Sequence, residues 1–340
     1  MGEEIKFMTI GDILFNIFIF PGAVFSVALG MLASWIDRKI TARIQYRVGP
    51  PLMQPYYDIR KLFSKEIVLP QPAGGGKESA DGYPPATGVR GATWIFVAAP
   101  VVAFAASVAA SAIIISSGFL GVGFYGDIFL VIYLLMIPPL ATILGGLSSG
   151  NPLSSVGASR EIKLMMGYEA IFILLILSVI IKTGSVSISD IVEKQLSSGG
   201  VGGVTAAYSP YPVIFSISGF IAFLLFIVVM QAKLGFVPFD MAEAETELAG
   251  GIYMEYSGPL LAFFKLSKTV LLAALPFLGI ALFAPSGGLT LIVKFLLLVI
   301  LITIIRNTSP RFRIDHALRI LWKWGIIAGF ASVAASILGY

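Results

Sequence analysis

Eight long apolar stretches, separated by polar or charged segments, dominate the pattern of this 340-residue chain. A helix that crosses a bilayer needs roughly 20 mostly apolar residues, because its backbone groups find no partner in lipid. The pattern predicts an all-α polytopic membrane protein with about eight transmembrane helices in one integral domain, residues 1–340. The predicted spans are residues 11–35, 92–117, 126–147, 164–182, 213–231, 257–284, 289–306 and 318–338.

Composition supports a membrane protein and restricts the cofactors that the chain can hold. Hydrophobic residues make up 57% of the chain and charged residues only 12%, against about a quarter in soluble domains. The chain has no cysteine and one histidine, His316, which argues against thiolate-held iron–sulfur clusters and His-based metal or haem sites. We therefore expect no cofactor in this chain, and any redox centre should lie in a partner subunit.

Basic residues cluster in the loops on one side of the predicted spans. The opposite side holds only Lys6, Lys182 and Lys194. Because short cytoplasmic loops carry the excess of Lys and Arg, this asymmetry predicts that both termini lie outside the cell membrane. The clustering also argues against a nucleic-acid partner, which would require a continuous basic face.

The first cytoplasmic loop, residues 36–91, is rich in arginine. If the first helix continues past the membrane surface, Lys39, Arg43 and Arg47 form one cationic stripe. The stripe fits either a positive-inside anchor or a docking surface for a cytoplasmic partner, and arginine favours docking because it binds carboxylates bidentately. Residues 54–66 predict an amphipathic helix on the membrane interface.

Residues 159–169 combine charged groups with an apolar span. Glu169 is predicted to lie inside the hydrocarbon, where ionisable residues usually mark ion pathways. The alternative is a structural ion pair with Arg160 or Lys163. Glu161 and Tyr168 belong to the same set of predicted loop contacts.

The acidic segment, residues 232–256, contains a single base, Lys233. If the segment is helical, Asp240, Glu243 and Glu247 share one face, and crowded carboxylates of this kind favour proton carriers. Alternatively, Asp240 and Glu243 only form a helix-capping box. The acids of the segment are Asp240, Glu243, Glu245, Glu247 and Glu255.

Two lysines, Lys265 and Lys268, interrupt the sixth apolar span. Cations near the centre of a bilayer are costly, so we expect both lysines to have carboxylate partners or a wet channel and to belong to an ion pathway. The expected partners are Glu169 and the acids at positions 243–255.

Three motifs, at residues 37–50, 157–169 and 239–248 followed by 255–258, resemble one membrane subunit family. This is the NuoH-type subunit shared by respiratory complex I and the membrane-bound group 4 nickel–iron (NiFe) hydrogenases. The resemblance covers nearly the whole chain. The compact run at residues 49–58 resembles the hydrogenase-type branch, including archaeal membrane-bound hydrogenase and its sulfane-reducing relative, more than the quinone-reducing branch.

The resemblance implies a subunit of the cell membrane that is not catalytic alone. Such a subunit binds a cytoplasmic module with a NiFe-type site and iron–sulfur (Fe–S) clusters, and passes charge to antiporter-like membrane subunits. The implied docking set is Asp37, Arg38, Lys39, Arg43, Arg47, Asp58 and Lys61, and the implied coupling acids are Glu169, Asp240, Glu243, Glu245, Glu247 and Glu255. The alternatives are a quinone-reducing NuoH-like subunit, a stand-alone secondary ion transporter and a passive anchor.

Overall fold

The computed structural model describes residues 20, 22–69, 92–121, 123, 126–197 and 212–339, apart from the side chains of residues 92, 245 and 246. Within these residues every regular element is helical. The helices are α1 (Ala23–Ile44), α2 (Gln54–Phe63), α3 (Ala92–Phe119), α4 (Asp127–Ser148), α5 (Pro152–Thr183), α6 (Ile188–Ser197), α7 (Ile217–Lys233), α8 (Glu245–Leu248), α9 (Gly258–Phe283), α10 (Gly288–Thr308) and α11 (Ile314–Ile337).

Six of these helices, α3, α4, α5, α9, α10 and α11, are long and apolar enough to cross a membrane, and α7 is a shorter apolar helix. Together with α1, they match the eight predicted spans in order. The chain is a multi-pass membrane protein. Residues 11–19 of the first predicted span lie outside the described part of the chain.

Two helices extend beyond the membrane spans that the pattern predicts. Helix α1 continues from the predicted span end at residue 35 to Ile44, so Asp37 to Arg43 are helical. Helix α5 begins at Pro152 instead of residue 164, because the Asn151 side chain accepts a hydrogen bond from the Leu153 N–H (2.9 Å) and proline suits the first helical position. As a result, Arg160, Glu161 and Lys163 lie on a helix and not in a loop.

Helix α9 forms the centre of the bundle. In its most apolar stretch 89% of the residues are buried, and it packs against α1, α3 and α10. Helix α1 approaches it closely at Gly30, where an added Cβ would clash with the carbonyl oxygen of Thr269. A second pair of contacts joins α5 to α7 and α11. Helix α9 therefore places Lys268, but not the exposed Lys265, between the other helices.

The acidic segment is not one continuous helix. Only α8 and a single 3-10 turn, Gly251–Tyr253, are helical between α7 and α9. Gly235, Gly250 and Gly251 have positive φ angles, and an added Cβ at Gly251 would clash with the carbonyl oxygen of Ala242. The segment therefore folds back on itself, and Asp240, Glu243 and Glu247 do not share a helix face.

In the first cytoplasmic loop the predicted amphipathic helix is confirmed, but the predicted cationic stripe is interrupted. The amphipathic helix is present as α2. Helix α1, however, ends before Arg47, whose N–H donates to the carbonyl oxygen of Ala42 (2.7 Å) after a turn with positive φ at Tyr46. Lys39 and Arg43 lie one turn apart on α1, whereas Arg47 lies beyond the end of that helix, so the three do not form one helical stripe. Arg43 and Arg47 are both exposed.

Candidate functional site

A cavity of about 580 Å³ lies between α1, α9, the acidic segment and the turn from α10 to α11. Charged side chains of both signs line it, although most of the surrounding helices are apolar. The bases are Arg38, Lys265, Lys268, Arg306 and Arg311, and the acids are Asp37, Asp240 and Glu243. Bases therefore outnumber acids at this cavity, and each of the three acids has a basic partner.

The central contact of the cavity joins Lys268 to Glu243. The Lys268 ammonium donates a hydrogen bond to Glu243 Oε1 and lies 5.2 Å from the centre of the Tyr253 ring. At 1.5 Å per residue, Lys268 is about 15 Å along α9 from Gly258. Its carboxylate partner falls within the range of residues 243–255 that the sequence indicated.

Asp240 forms an ion pair with Arg311 (3.0 Å) at the edge of the same cavity. Burial and the neighbouring Glu243 carboxylate raise the pKa of Asp240, and the charges of Lys268 and Arg311 oppose that rise. The net direction means that this carboxyl holds its proton more tightly than an exposed aspartate.

Asp37 is only 4% exposed, so it does not lie on an open docking surface. Its carboxylate accepts from Arg306 (2.6 Å) and from the Thr303 hydroxyl (3.0 Å). The first loop therefore contributes this acid to the cavity wall, because α1 turns Asp37 towards α10. The docking role that the resemblance implies for Asp37 stays a prediction, which the low exposure of this side chain does not favour.

A second cavity, of about 40 Å³, lies on the other side of the Lys268–Glu243 pair. Thr142, Glu161, Lys233 and Ser267 are among its polar lining residues. One water needs about 10–15 Å³ of such space, so the cavity has room for a few waters. It places Lys268 and Glu243 next to the charged groups of α5 and α7.

Lys233 and Glu169 form a buried ion pair beyond this cavity. Their side chains are 3% and 9% exposed, and Lys233 also lies 4.4 Å from the centre of the Phe172 ring and 5.3 Å from that of Tyr168. The partner of Glu169 is thus Lys233, and not Arg160 or Lys163 as the structural alternative supposed. Sequence reasoning left Lys233 out of the site, although it is the single base next to the acids.

The outer acids attach the acidic segment to α5. Arg160 donates to Glu247 Oε2 (2.6 Å) and to the carbonyl oxygen of Met241 (3.3 Å). The hydrogen bond and the charge of Arg160 lower the pKa of Glu247. Glu255 accepts from the Asn151 amide (2.6 Å). The Glu245 side chain lies outside what the structure describes, and Lys163 is exposed.

The docking candidates divide into paired and unpaired residues. Arg38 donates to Asp58 (2.5 Å), which joins α1 to α2. Lys39 is half-buried, whereas Arg43, Arg47 and Lys61 are exposed. Lys265, which the sequence placed near the bilayer centre, is exposed on the surface of α9.

Metal ligands are absent from the described part of the chain. No group of three His, Cys, Asp or Glu side chains there has an arrangement that would hold a metal ion. The acids of the cavity are instead neutralised by lysine and arginine.

Comparison with known proteins identifies the family of the chain. The family model described as NADH dehydrogenase matches residues 16–75 and 87–337. The NuoH-type polypeptide of the NADH-quinone oxidoreductase of Thermomicrobium roseum is 32% identical over 324 residues, which cover 88% of each chain. Hydrogenase-4 component C of Escherichia coli is 30% identical over 340 residues, covering 96% of this chain and 97% of that one.

A solved structure shows the same fold. A chain of the membrane-bound sulfane sulfur reductase, an archaeal respiratory membrane complex, superposes with a TM-score of 0.78 at 26% identity. The match covers 96% of this chain and 100% of the other. These matches confirm the resemblance that the three motifs indicated. The chain belongs to the NADH dehydrogenase family of membrane subunits, to which the NuoH-type subunits of respiratory complexes belong.

Proposed function

We propose that this chain is the membrane subunit of a respiratory-type redox complex, where it couples electron transfer in a cytoplasmic partner to translocation of H⁺ or Na⁺. The observation that carries the proposal is the row of charged groups that begins at the 580 Å³ cavity, passes the Lys268–Glu243 pair and the 40 Å³ cavity, and ends at the buried Lys233–Glu169 pair. A passive anchor would not require charged groups inside the helix bundle, where they are costly.

The row transmits charge because each of its members responds to its neighbour. Two unit charges about 4 Å apart interact by about 4 kcal/mol at an effective dielectric constant of about 20. Protonation of Asp240 or Glu243 therefore weakens the hold on the Lys268 ammonium. Through the small cavity, that change acts on Glu161 and Lys233, and so on Glu169. Lys265 lines the same large cavity and remains a candidate member of this pathway.

The exposed bases of the first loop bind the cytoplasmic module in this proposal. Arg43 and Arg47 have no carboxylate partner within 4 Å in the described part of the chain, so they are available to acidic groups of a partner. The redox centres, of NiFe type and Fe–S type, would belong to that partner. Antiporter-like membrane subunits would receive the charge beyond Glu169.

The relatives favour two versions of the complex. Hydrogenase-4 component C and the sulfane sulfur reductase chain support a hydrogenase-type or sulfane reductase-type complex. The NADH-quinone oxidoreductase relatives, together with the size of the 580 Å³ cavity, support a quinone-reducing complex as the second candidate.

Purification in mild detergent, followed by identification of co-purifying subunits and metals, tests membership and distinguishes the two versions. We expect soluble iron-rich subunits together with antiporter-like membrane subunits. Nickel in the complex would identify the hydrogenase version, and a bound quinone the alternative. A chain that purifies alone and transports an ion by itself would contradict the proposal and support a secondary transporter.

A further inference from the structure

A separate cavity of about 240 Å³ lies between α1, α2 and α9, next to the candidate site but outside the row of ion pairs. Four bases and one acid line it. The bases are Arg38, Lys61, Lys65 and Lys265, and the acid is Asp58. Apolar lining comes from Pro55, Ile59 and Leu62 of α2. The cavity thus combines a strongly cationic part with an apolar wall.

The single acid of this cavity is already occupied. Asp58 Oδ2 accepts from Arg38 (2.5 Å) and Oδ1 accepts from Gln54 (2.9 Å). Lys61, Lys65 and Lys265 are exposed, and none of them has a carboxylate within 4 Å among the residues that the structure describes. Three positive charges around one cavity therefore have no carboxylate at ion-pair distance among the described residues, although the charge of Lys265 also acts on Asp58.

The position of α2 places these charges beside the first turns of α9, a helix long and apolar enough to cross a membrane. The ring of Phe63 packs against that of Phe263 at 5.5 Å, which attaches α2 to α9. The backbone after α2 crosses Gly258, where an added Cβ would lie 2.6 Å from the carbonyl oxygen of Glu66. Lys65 is thereby held at the start of α9. Lys265 lies about 10 Å further along that helix at 1.5 Å per residue.

Exposed aromatic residues on α2 support a position of this helix at the membrane surface. Tyr56 and Tyr57 are about half exposed, and tyrosine is enriched where lipid headgroups meet the hydrocarbon. A lysine that faces lipid from a transmembrane helix is costly unless it reaches an anion or water. Basic pockets between transmembrane helices at this level are suited to lipid headgroups.

We propose that the 240 Å³ cavity binds the headgroup phosphate of an anionic phospholipid, with Lys61, Lys65 and Lys265 as its ligands. The apolar wall formed by Ile59 and Leu62 would contact the upper part of the acyl chains. Inorganic phosphate also carries negative charge, but it has no apolar part that would contact this wall. Arg38 and Lys265 also line the 580 Å³ cavity, but the Lys268–Glu243 pair does not line this one, so lipid binding can be measured separately from ion translocation.

The test measures lipid bound to the purified complex by native mass spectrometry after delipidation. Phosphatidylglycerol, phosphatidylcholine and inorganic phosphate are added in separate titrations. We expect saturable binding of phosphatidylglycerol, much weaker binding of phosphatidylcholine, and no displacement of phosphatidylglycerol by inorganic phosphate. Equal binding of the two lipids, or displacement by inorganic phosphate, would overturn the proposal.

Variants locate the site. Lys65→Gln with Lys265→Gln should weaken phosphatidylglycerol binding roughly tenfold or more, because each lysine near a membrane surface contributes separately. Lys163→Gln with Lys323→Gln is the matched control, since both are exposed lysines on other helices, and should leave binding unchanged. Lys65→Gln alone changes no membrane-spanning residue, so it reports on binding even if the double variant does not fold. Wild-type binding in both Lys65 variants would overturn the proposal.

Discussion

The Lys268 ammonium donates a hydrogen bond to Glu243 Oε1, and these two side chains line both the 580 Å³ cavity and the 40 Å³ cavity. The contact joins the middle of α9 to the acidic segment. In the proposed pathway, charge that passes from the large cavity towards Glu161 and Lys233 therefore meets this pair. Its two residues should be coupled in both stability and function.

A double-mutant cycle tests this coupling. Lys268→Met and Glu243→Gln should each lower the thermal stability of the purified complex, because each leaves an unmatched charge. The double variant should lose less than the sum of the two single losses. The side chains are 32% and 31% exposed, so we expect each single loss to be smaller than the about 3–5 kcal/mol of a fully buried pair. Additive losses would show that the two residues act independently.

Asp240 should make the stability of the complex depend on pH. Because burial and Glu243 raise its pKa above the usual 3.8, the folded chain holds this proton more tightly than the unfolded chain. Below pH 3.8 Asp240 is protonated in both states, so its contribution to stability does not change with pH. Between pH 3.8 and the raised pKa the unfolded chain releases this proton while the folded chain keeps it, so stability falls as the pH rises through this window and levels off above it.

The Asp240→Asn variant has no such proton. Its midpoint of thermal denaturation should therefore change less with pH than that of the wild type over this range. The measurement compares the two midpoints at a series of pH values upwards from 3.8. Parallel curves for the two proteins would mean that Asp240 does not titrate within the folded chain as the site geometry implies.

Docking should depend on Arg43 and Arg47. Reversing both charges with Arg43→Glu and Arg47→Glu should release the cytoplasmic module, because contacts through exposed bases are electrostatic. The neutral variants Arg43→Gln and Arg47→Gln should release part of the cytoplasmic module, and the released fraction should grow with salt concentration. Arg313→Glu is the control, since Arg313 is 80% exposed but pairs with Asp315. Size-exclusion chromatography of the detergent extract measures the result, and a full-size complex in the double Glu variant would exclude the docking role.

Glu247 and Glu243 should differ in their effects on ion translocation. Glu247 is largely exposed and pairs with Arg160 at the outside of the acidic segment, whereas Glu243 lies between the two cavities. Glu247→Gln should therefore reduce translocation by reconstituted vesicles less than Glu243→Gln does. The double variant Arg160→Glu with Glu247→Arg exchanges the two charges of this outer pair. If it restores ion translocation, the pair only attaches the acidic segment to α5. Equal losses of ion translocation in Glu247→Gln and Glu243→Gln would contradict the assignment of Glu243, and not Glu247, to the pathway.

The sequence predicts the spans well because lipid imposes one simple rule on length and apolar content. The helices α1 and α5 extend beyond the predicted spans, because charged helical turns continue past the apolar stretch. Arg160 and Glu161 look like loop residues for that reason, although the Asn151 cap starts the helix before them.

Charge partners are harder to predict than spans. The positions of Glu169 and Lys268 in apolar spans show that both need opposite charges. The sequence indicates a range of acids for Lys268 but does not single out Glu243, and it does not indicate Lys233 for Glu169, because these partners come from distant parts of the chain. Lys233 illustrates the difficulty: it ends an apolar helix and resembles an anchor, yet its side chain is 3% exposed and pairs with Glu169. The backbone fold of the acidic segment depends on Gly251 and its contact with Ala242, which periodicity does not reveal.

The most direct measurement follows redox turnover and ion-gradient formation together in vesicles that contain the assembled Lys268→Met complex. Methionine keeps the apolar stem and removes the charge, so α9 should still pack. Lys323→Met, which removes an exposed lysine elsewhere, serves as the control. We expect wild-type redox turnover with an artificial donor but no ion gradient in the Lys268→Met complex, and poor recovery with Lys268→Arg because arginine does not release its proton. A full gradient in the Lys268→Met complex would contradict the coupling pathway proposed for this chain.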